Sequence, residues 1–332
     1  MRGGSSGSGT ILKVNDASSM RLEYERLNNV RNVQAEIVFK QPDVAEDAGF
    51  GSLSEVGCRF DNPGIYVVAG NSGVGKSSFL IELAVHKATH LAKTGDNSGP
   101  VVFITYQESL HYLYAKFLAC LAAKKCNGNI NYAPNLIAVE KFLLKKPIQD
   151  EYTVSLEKAA EEMDALQKSG FLALVDGGND ARCIEDVIAL LDSHPTPSVL
   201  ILDSYHDLRL KNREMSWDER NKTIADNLEQ YSHKNNITVV ASCPVELATS
   251  GQPEIDSIRD SEKYVVDRAS CVVSLYNHEN DRRKIIFSIP RGPSTVSVKV
   301  LKNRNHISGG SRKFLFYGER CHFRILGEQN ER

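Results

Sequence analysis

The octapeptide Gly70-Asn71-Ser72-Gly73-Val74-Gly75-Lys76-Ser77 has the spacing G-x-x-x-x-G-K-[ST]. An apolar run, Gly64–Gly70, precedes it and a helical pattern follows it, which is the setting in which this spacing binds phosphate. Glycines let successive backbone N–H groups curve around phosphate oxygens. The start of the following helix adds unpaired donors and a dipole that favours an anion. Lys76 can reach the β- and γ-phosphates, and the Ser77 hydroxyl can ligate Mg²⁺. Gly70 through Ser77, with the adjacent Ser78, are the candidate nucleotide-binding residues, and ATP with Mg²⁺ is the implied ligand pair.

A hydrated metal at such a loop needs an acidic partner at the same sheet edge. Asp203 closes the apolar run Val199–Leu202 and is the candidate, beside Ser77, for that role; its other reading is an aspartate that opens a turn. Hydrolysis also needs a group that orients or deprotonates water. Glu108 follows the apolar run Val101–Tyr106 and has two readings: a catalytic base, or a carboxylate favoured by the next helix's dipole. The nine histidines lack metal-ligand spacing, so His206 and His306 carry no metal role. The seven scattered cysteines contain no C-x-x-C and read as free thiols in a reducing compartment.

The elements that must place these residues alternate along the chain. Apolar strands are expected over 64–70, 100–106, 197–204 and 237–243. Helices are expected over 76–92, 109–125, 151–169, 183–193 and 218–235. This order implies an α/β fold with a mostly parallel sheet covered by helices on both faces. Toward the end, CVVSLYN, KIIFSIP, VSVKVLKN, KFLFY and CHFRI read as strands with short turns, a hairpin-rich extension of that sheet.

Residues 1–15 form a Gly/Ser-rich lead, and 16–48 hold an amphipathic helix over 18–33 with its connection. Residues 49–326 form the main domain and 327–332 a short tail. Of the 332 residues, 41% are hydrophobic and the formal charge is −2, which excludes a wholly basic histone-like chain and an acidic disordered one. No run of 18 apolar residues and no signal-peptide core occur, so the expectation is a cytoplasmic or nucleoid protein without a membrane span. Residues 255–332 carry 15 Lys and Arg against nine Asp and Glu. That local excess suggests an anion-facing surface or a solvated sheet edge.

With these residues placed, the chain from Gly49 to Ile325 resembles the RecA-like motor domain of DnaB-type replicative hexameric helicases. Gly70–Ser77 is similar to the family's Walker A loop, Tyr106-Gln107-Glu108-Ser109 to its catalytic-glutamate motif, and Leu202-Asp203-Ser204 to Walker B. Ile258-Arg259-Asp260-Ser261, Val266-Asp267-Arg268-Ala269 and Val272–Tyr276 resemble the segment around its inner DNA-binding loop. Val300-Leu301-Lys302-Asn303-Arg304-Asn305 is similar to the Lys-x-Arg hairpin that enters the neighbouring subunit's nucleotide site. The resemblance implies catalytic roles for Lys76, Glu108, Lys302 and Arg304, the last stabilising charge on the γ-phosphate in trans. On residues alone, Lys302 and Arg304 read equally as surface charges on a hairpin.

The sequence also departs from the family. Cys243-Pro244 follow Ser242 where the family has a γ-phosphate-sensing Gln, and Gly309 is displaced beyond Asn305-His306-Ile307-Ser308. The lead is too short for the family's N-terminal collar domain, so primase or loader contacts are expected only if another segment supplies them. Two segments are candidates for single-stranded DNA: 207–220, with Arg209, Lys211, Arg213 and Trp217, and 245–259, ending at Arg259. The first reads equally as a solvated approach to a helix, with Trp217 as a packing anchor. The expected activity is an ATP-dependent homo-hexameric helicase or translocase acting on single-stranded DNA and forked duplexes. The alternative is a RecA-like ATPase that does not unwind, such as a recombinase or viral packaging motor.

Overall fold

A computed structural model describes residues 53, 56, 58, 60, 62–126, 130–212, 214–246, 251–279, 293–304 and 308–326. The expected lead, the helix at 18–33, the strand KIIFSIP, the terminal tail, Arg213 and His306 lie outside the described residues.

The strands are β1 (Gly64–Gly70), β2 (Val101–Thr105), β3 (Leu172–Asp176), β4 (Val199–Asp203), β5 (Thr238–Pro244), β6 (Cys271–Asn277), β7 (Ser294–Asn303), β8 (Ser311–Tyr317) and β9 (His322–Ile325). The helices are α1 (Lys76–Thr94), α2 (Leu110–Lys125), α3 (Leu136–Leu143), α4 (Asp150–Lys168), α5 (Ile184–Asp192), α6 (Trp217–Asn235) and α7 (Lys263–Arg268). The strands form one sheet in the order β3-β2-β4-β5-β1-β6-β7-β8-β9. Pairing is parallel from β3 through β6 and antiparallel from β6 to β9.

The central strands are apolar on both faces because both faces are covered. Tyr66, Val68, Val101, Phe103, Ile201 and Val240 pack with α1, α2 and α4 in one core. The alternate residues Ile65, Val67, Val102, Ile104, Leu200 and Val239 pack with α5, α6 and α7 in the other. Neither β3 nor α3 is among the expected elements. The run FLALVD, closed by Gly177-Gly178, is a short buried strand whose hydrophobicity alone does not separate it from the preceding helix. The C-terminal extension also differs in part, because β6 pairs parallel with β1 before the hairpins begin.

The antiparallel strands fold back over the start of α1. Phe323 of β9 meets Phe79 edge-on, with ring centroids 5.8 Å apart, and stacks on Phe316 of β8 at 4.5 Å. Beneath them lies Glu82, only 2% exposed. The Phe323 backbone N–H donates to its carboxylate at 2.7 Å, and Lys124 Nζ lies 3.7 Å away. His322 Nδ1 is 3.0 Å from Glu82 Oε1, an ion-pair contact outside good hydrogen-bond geometry. Burial pushes the Glu82 carboxyl up, but His322, Lys124 and the Phe323 N–H outweigh it and hold it below its ordinary value.

Glu82→Gln is therefore expected to destabilise the fold by about 3 kcal/mol at neutral pH, since the partly buried Lys124 ammonium loses its counter-charge. Urea unfolding reads this directly. The depressed carboxyl contributes stability above its ordinary value of 4.5 and loses it as pH falls through the lower folded value. The acid limb of stability against pH should be flatter in the variant than in the parent.

Candidate functional site

Parallel pairing brings several strand ends to one edge. Gly70 lies opposite Pro244, and Thr105 opposite Asp203. A cavity of about 610 Å³ opens there. Its walls include Ser72, Gly73, Gly75, Lys76, Ser77 and Ser78 from the glycine-rich loop and α1, Glu108 after β2, Asp203 and Ser204 after β4, and Ser242 and Pro244 of β5. Gly70, Asn71 and Val74 are not among the lining residues, and the Val74 side chain is buried in the core.

Gly75 immediately precedes α1 at φ +103°, a left-handed conformation, and supplies no side-chain cap. A Cβ there would stand 2.9 Å from the Phe316 ring. Glycine is thus required twice, by the backbone and by the strand that closes over it. The start of α1 has no side-chain cap and its residues Lys76, Ser77 and Ser78 line the cavity, a setting that suits anion binding at a helix N-terminus.

Lys76 Nζ donates to Gly70 O at 2.8 Å and Asn71 O at 3.0 Å. Burial lowers its pKa and outweighs the opposing pull of the Asp203 carboxylate. The ammonium rests on neutral carbonyls that a phosphate would replace with charge-assisted bonds. Asp203 Oδ1 accepts from Ser242 Oγ at 2.6 Å, which leaves its second oxygen to another partner. Ser204 Oγ and Gln107 Nε2 each donate to Asp207 Oδ2 at 2.8 Å and hold the post-β4 turn against the end of β2.

Glu108 precedes the helix cap Ser109 and pairs with Lys116 of α2. Its Oε2 and the Oδ1 of Asn71 are buried without hydrogen-bond partners among the described residues. Buried orphan acceptors are uncommon in folded proteins, and the one on Glu108, which lines the cavity, fits a ligand site. Lys116, Tyr112 and Phe316 line the cavity without belonging to any motif of the sequence. Glu108, Tyr112 and Lys116 recur every four residues, so one helical face was a usable signal for two of them. Phe316 arrives from a distant strand and had no local signal.

Other candidates lie elsewhere. Cys271 pairs with both Tyr66 of β1 and Asn303 of β7, whereas Gly70 aligns with Leu275. Lys302 and Arg304 therefore sit at the opposite end of the sheet from their own phosphate loop, roughly 13 Å away along β1 at about 3.3 Å per residue. There Lys302 Nζ donates to Val266 O and Asp267 O, each at 2.8 Å, and Arg304 Nη2 donates to Asp267 O at 2.6 Å. Burial and the Arg304 charge hold the Lys302 ammonium below its usual pKa. Arg209 is exposed, and Lys211 is engaged by Asp186 at 2.6 Å. Trp217 is no packing anchor: it is 54% exposed, with the Arg220 guanidinium 4.1 Å from its ring centroid. Arg259, a nucleic-acid candidate, lines the phosphate cavity instead.

No family model and no curated protein matches the sequence. Solved structures do match. One, described as an ATPase domain, aligns with a TM-score of 0.65 and 13% identity, over 95% of this chain and 100% of that one. A DnaB-like replicative helicase, described with its interactions with primase, gives 0.66 and 13% over 95% and 68%. The RadB recombinase gives 0.50 and 14% over 84% and 99%. The chain shares the fold of these ATPase-domain and DnaB-like helicase structures. At such identities the likeness is one of fold, and the activity rests on the site.

Gly75→Ala should destabilise the protein by at least about 1 kcal/mol through the left-handed backbone alone. Because Phe316 must also yield, it should weaken binding of a fluorescent ATP analogue; urea unfolding and a binding titration read the two effects.

Proposed function

We propose that this chain is an ATP-hydrolysing motor that assembles as a ring, homo-hexameric by preference, and moves on single-stranded DNA. The observation that carries this reading is the separation of Lys302 and Arg304 from their own phosphate loop. They stand at the far end of the sheet, hydrogen-bonded to carbonyls of α7 and without a carboxylate salt bridge among the described residues. Cations useless in cis are available to a neighbouring copy's nucleotide. The likeness to the DnaB-like helicase fold supports the same assembly.

Within one subunit the residues divide the work. Loop N–H groups and Lys76 offset phosphate charge, and Glu108 orients the attacking water. Ser77 and Asp203 suit Mg²⁺, a hard cation that keeps several waters and needs few protein ligands. No cluster among the described residues forms a metal cage by itself. When bound, Mg²⁺ would neutralise charge on the β- and γ-phosphate oxygens. Arg209 and Lys211, with Arg213, are proposed as phosphate-tracking contacts to DNA. A primase or loader is a proposed partner by analogy with the DnaB-like helicase. No helix among the described residues is long and apolar enough to span a membrane. A cytoplasmic or nucleoid setting is proposed because a DNA motor needs one.

A second reading, a nucleic-acid-dependent ATPase that does not unwind, is favoured by Cys243-Pro244 after Ser242, since the resemblance would place a γ-phosphate-sensing Gln directly after Ser242. The RadB likeness is in keeping with it. Strand displacement on a forked duplex separates the two.

Steady-state ATPase rates with and without single-stranded DNA, at fixed salt, test the motor. Glu108→Gln should lower turnover by at least about 100-fold while retaining nucleotide binding. Arg304→Ala should remove DNA-stimulated turnover by about 1,000-fold. An unchanged rate in the latter variant would sink the trans mechanism.

A further inference from the structure

Lys76, Lys116 and Arg259 all line the phosphate cavity. Two of them have partners: Lys116 pairs with Glu108, and Lys76 with loop carbonyls. The Arg259 guanidinium makes no hydrogen bond or ion pair among the described residues. It is half-buried and close enough to Lys76 to oppose that lysine's charge. Two cations facing one another across a desolvated cavity repel unless an anion lies between them. The Lys76 end of the cavity, beside Asp203 and Ser242, is where terminal phosphates are expected.

The backbone around Arg259 is fixed from two directions. Val245, directly after β5, forms an antiparallel bridge with Ile258, and the Glu246 N–H donates to Ser257 O at 2.8 Å. On its other side, the Glu262 N–H donates to Arg259 O at 2.9 Å. Glu262 is buried and accepts from His206 Nδ1, at 2.7 Å, and His206 itself lines the cavity after Asp203. Arg259 is thus hung between the exits of β4 and β5. Pro244, at the β5 exit, has no side-chain donor with which to read a phosphate.

We propose that Arg259 reads the terminal phosphate in cis, distinguishing nucleoside triphosphate from diphosphate. Through the Val245–Ile258 bridge, the same contact sets the segment that precedes Arg259, which is a candidate nucleic-acid loop. The proposal rests on the ATP reading of the cavity and replaces the direct nucleic-acid role expected for Arg259 from sequence.

The test compares the full chain with Arg259→Ala and Arg259→Lys, each checked for folding by urea unfolding. Affinities are measured for a non-hydrolysable ATP analogue, for ADP, and for single-stranded DNA with and without the analogue. Arg259→Ala should lose at least about tenfold in analogue affinity and under about twofold in ADP affinity, since one charge-assisted contact is removed. Lys should restore part of the difference, and DNA affinity without nucleotide should stay within about twofold of the parent. Equal losses for analogue and ADP would overturn the proposal. So would unchanged nucleotide affinities with weakened DNA binding, which would return Arg259 to the nucleic acid. Lys76→Ala separates the two levels of the argument. If the parent binds neither nucleotide, or Lys76→Ala changes neither affinity, the ATP reading itself has failed. If Lys76→Ala weakens both and Arg259→Ala weakens neither, only the proposal has.

Discussion

The passage from β1 into α1, a glycine-rich loop leading to a helix start with no side-chain cap, is the constraint around which the described structure is arranged. The N–H donors of such a helix start are stable near a surface only if an anion or water meets them. The loop that presents them needs a left-handed glycine, a rigid strand behind it and a helix whose first turn is left uncapped. Parallel pairing then delivers Asp203 and Ser242 to the same edge, because every parallel strand points its C-terminus the same way. The chemistry collects at that edge for reasons of topology before any individual side chain is considered.

Charge is distributed unevenly over the two ends of the sheet. At the phosphate edge, cations alternate with carboxylates: Lys76 near Asp203, Lys116 on Glu108. At the opposite edge, Lys302 and Arg304 lie on peptide carbonyls. Carbonyl dipoles orient a cation without cancelling it, whereas a carboxylate does both. The first arrangement suits a group that changes partner when ligand enters. The second suits a cation presented outward with its charge intact.

Local signals carried much of this. The loop 70–77 and the strand end at Asp203 were legible because their chemistry is contained in a few consecutive residues with obligatory flanks. The helix at 76–94 and the strand at 199–203 follow from apolar pattern and fall within a few residues of expectation. What could not be read were relations between distant segments. Phe316 closing over Gly75 and Arg259 entering the cavity both depend on tertiary placement. The strand at 172–176 escapes for a different reason, since a five-residue apolar run after a long helix is ambiguous by periodicity. Trp217 was expected to pack, yet it opens α6 in solvent, where a capped N-terminus and Arg220 hold it.

The strand β9 has a temporal meaning as well as a spatial one. Its Phe323 amide, 241 positions on in sequence, and its His322 ring hold Glu82 in α1, and its neighbour β8 supplies the ring against which the phosphate loop rests. Translation makes the loop well before these partners. Contacts of such long sequence separation form late in folding. The nascent chain thus carries its glycine-rich motif without the wall that shapes it until β8 and β9 have been made.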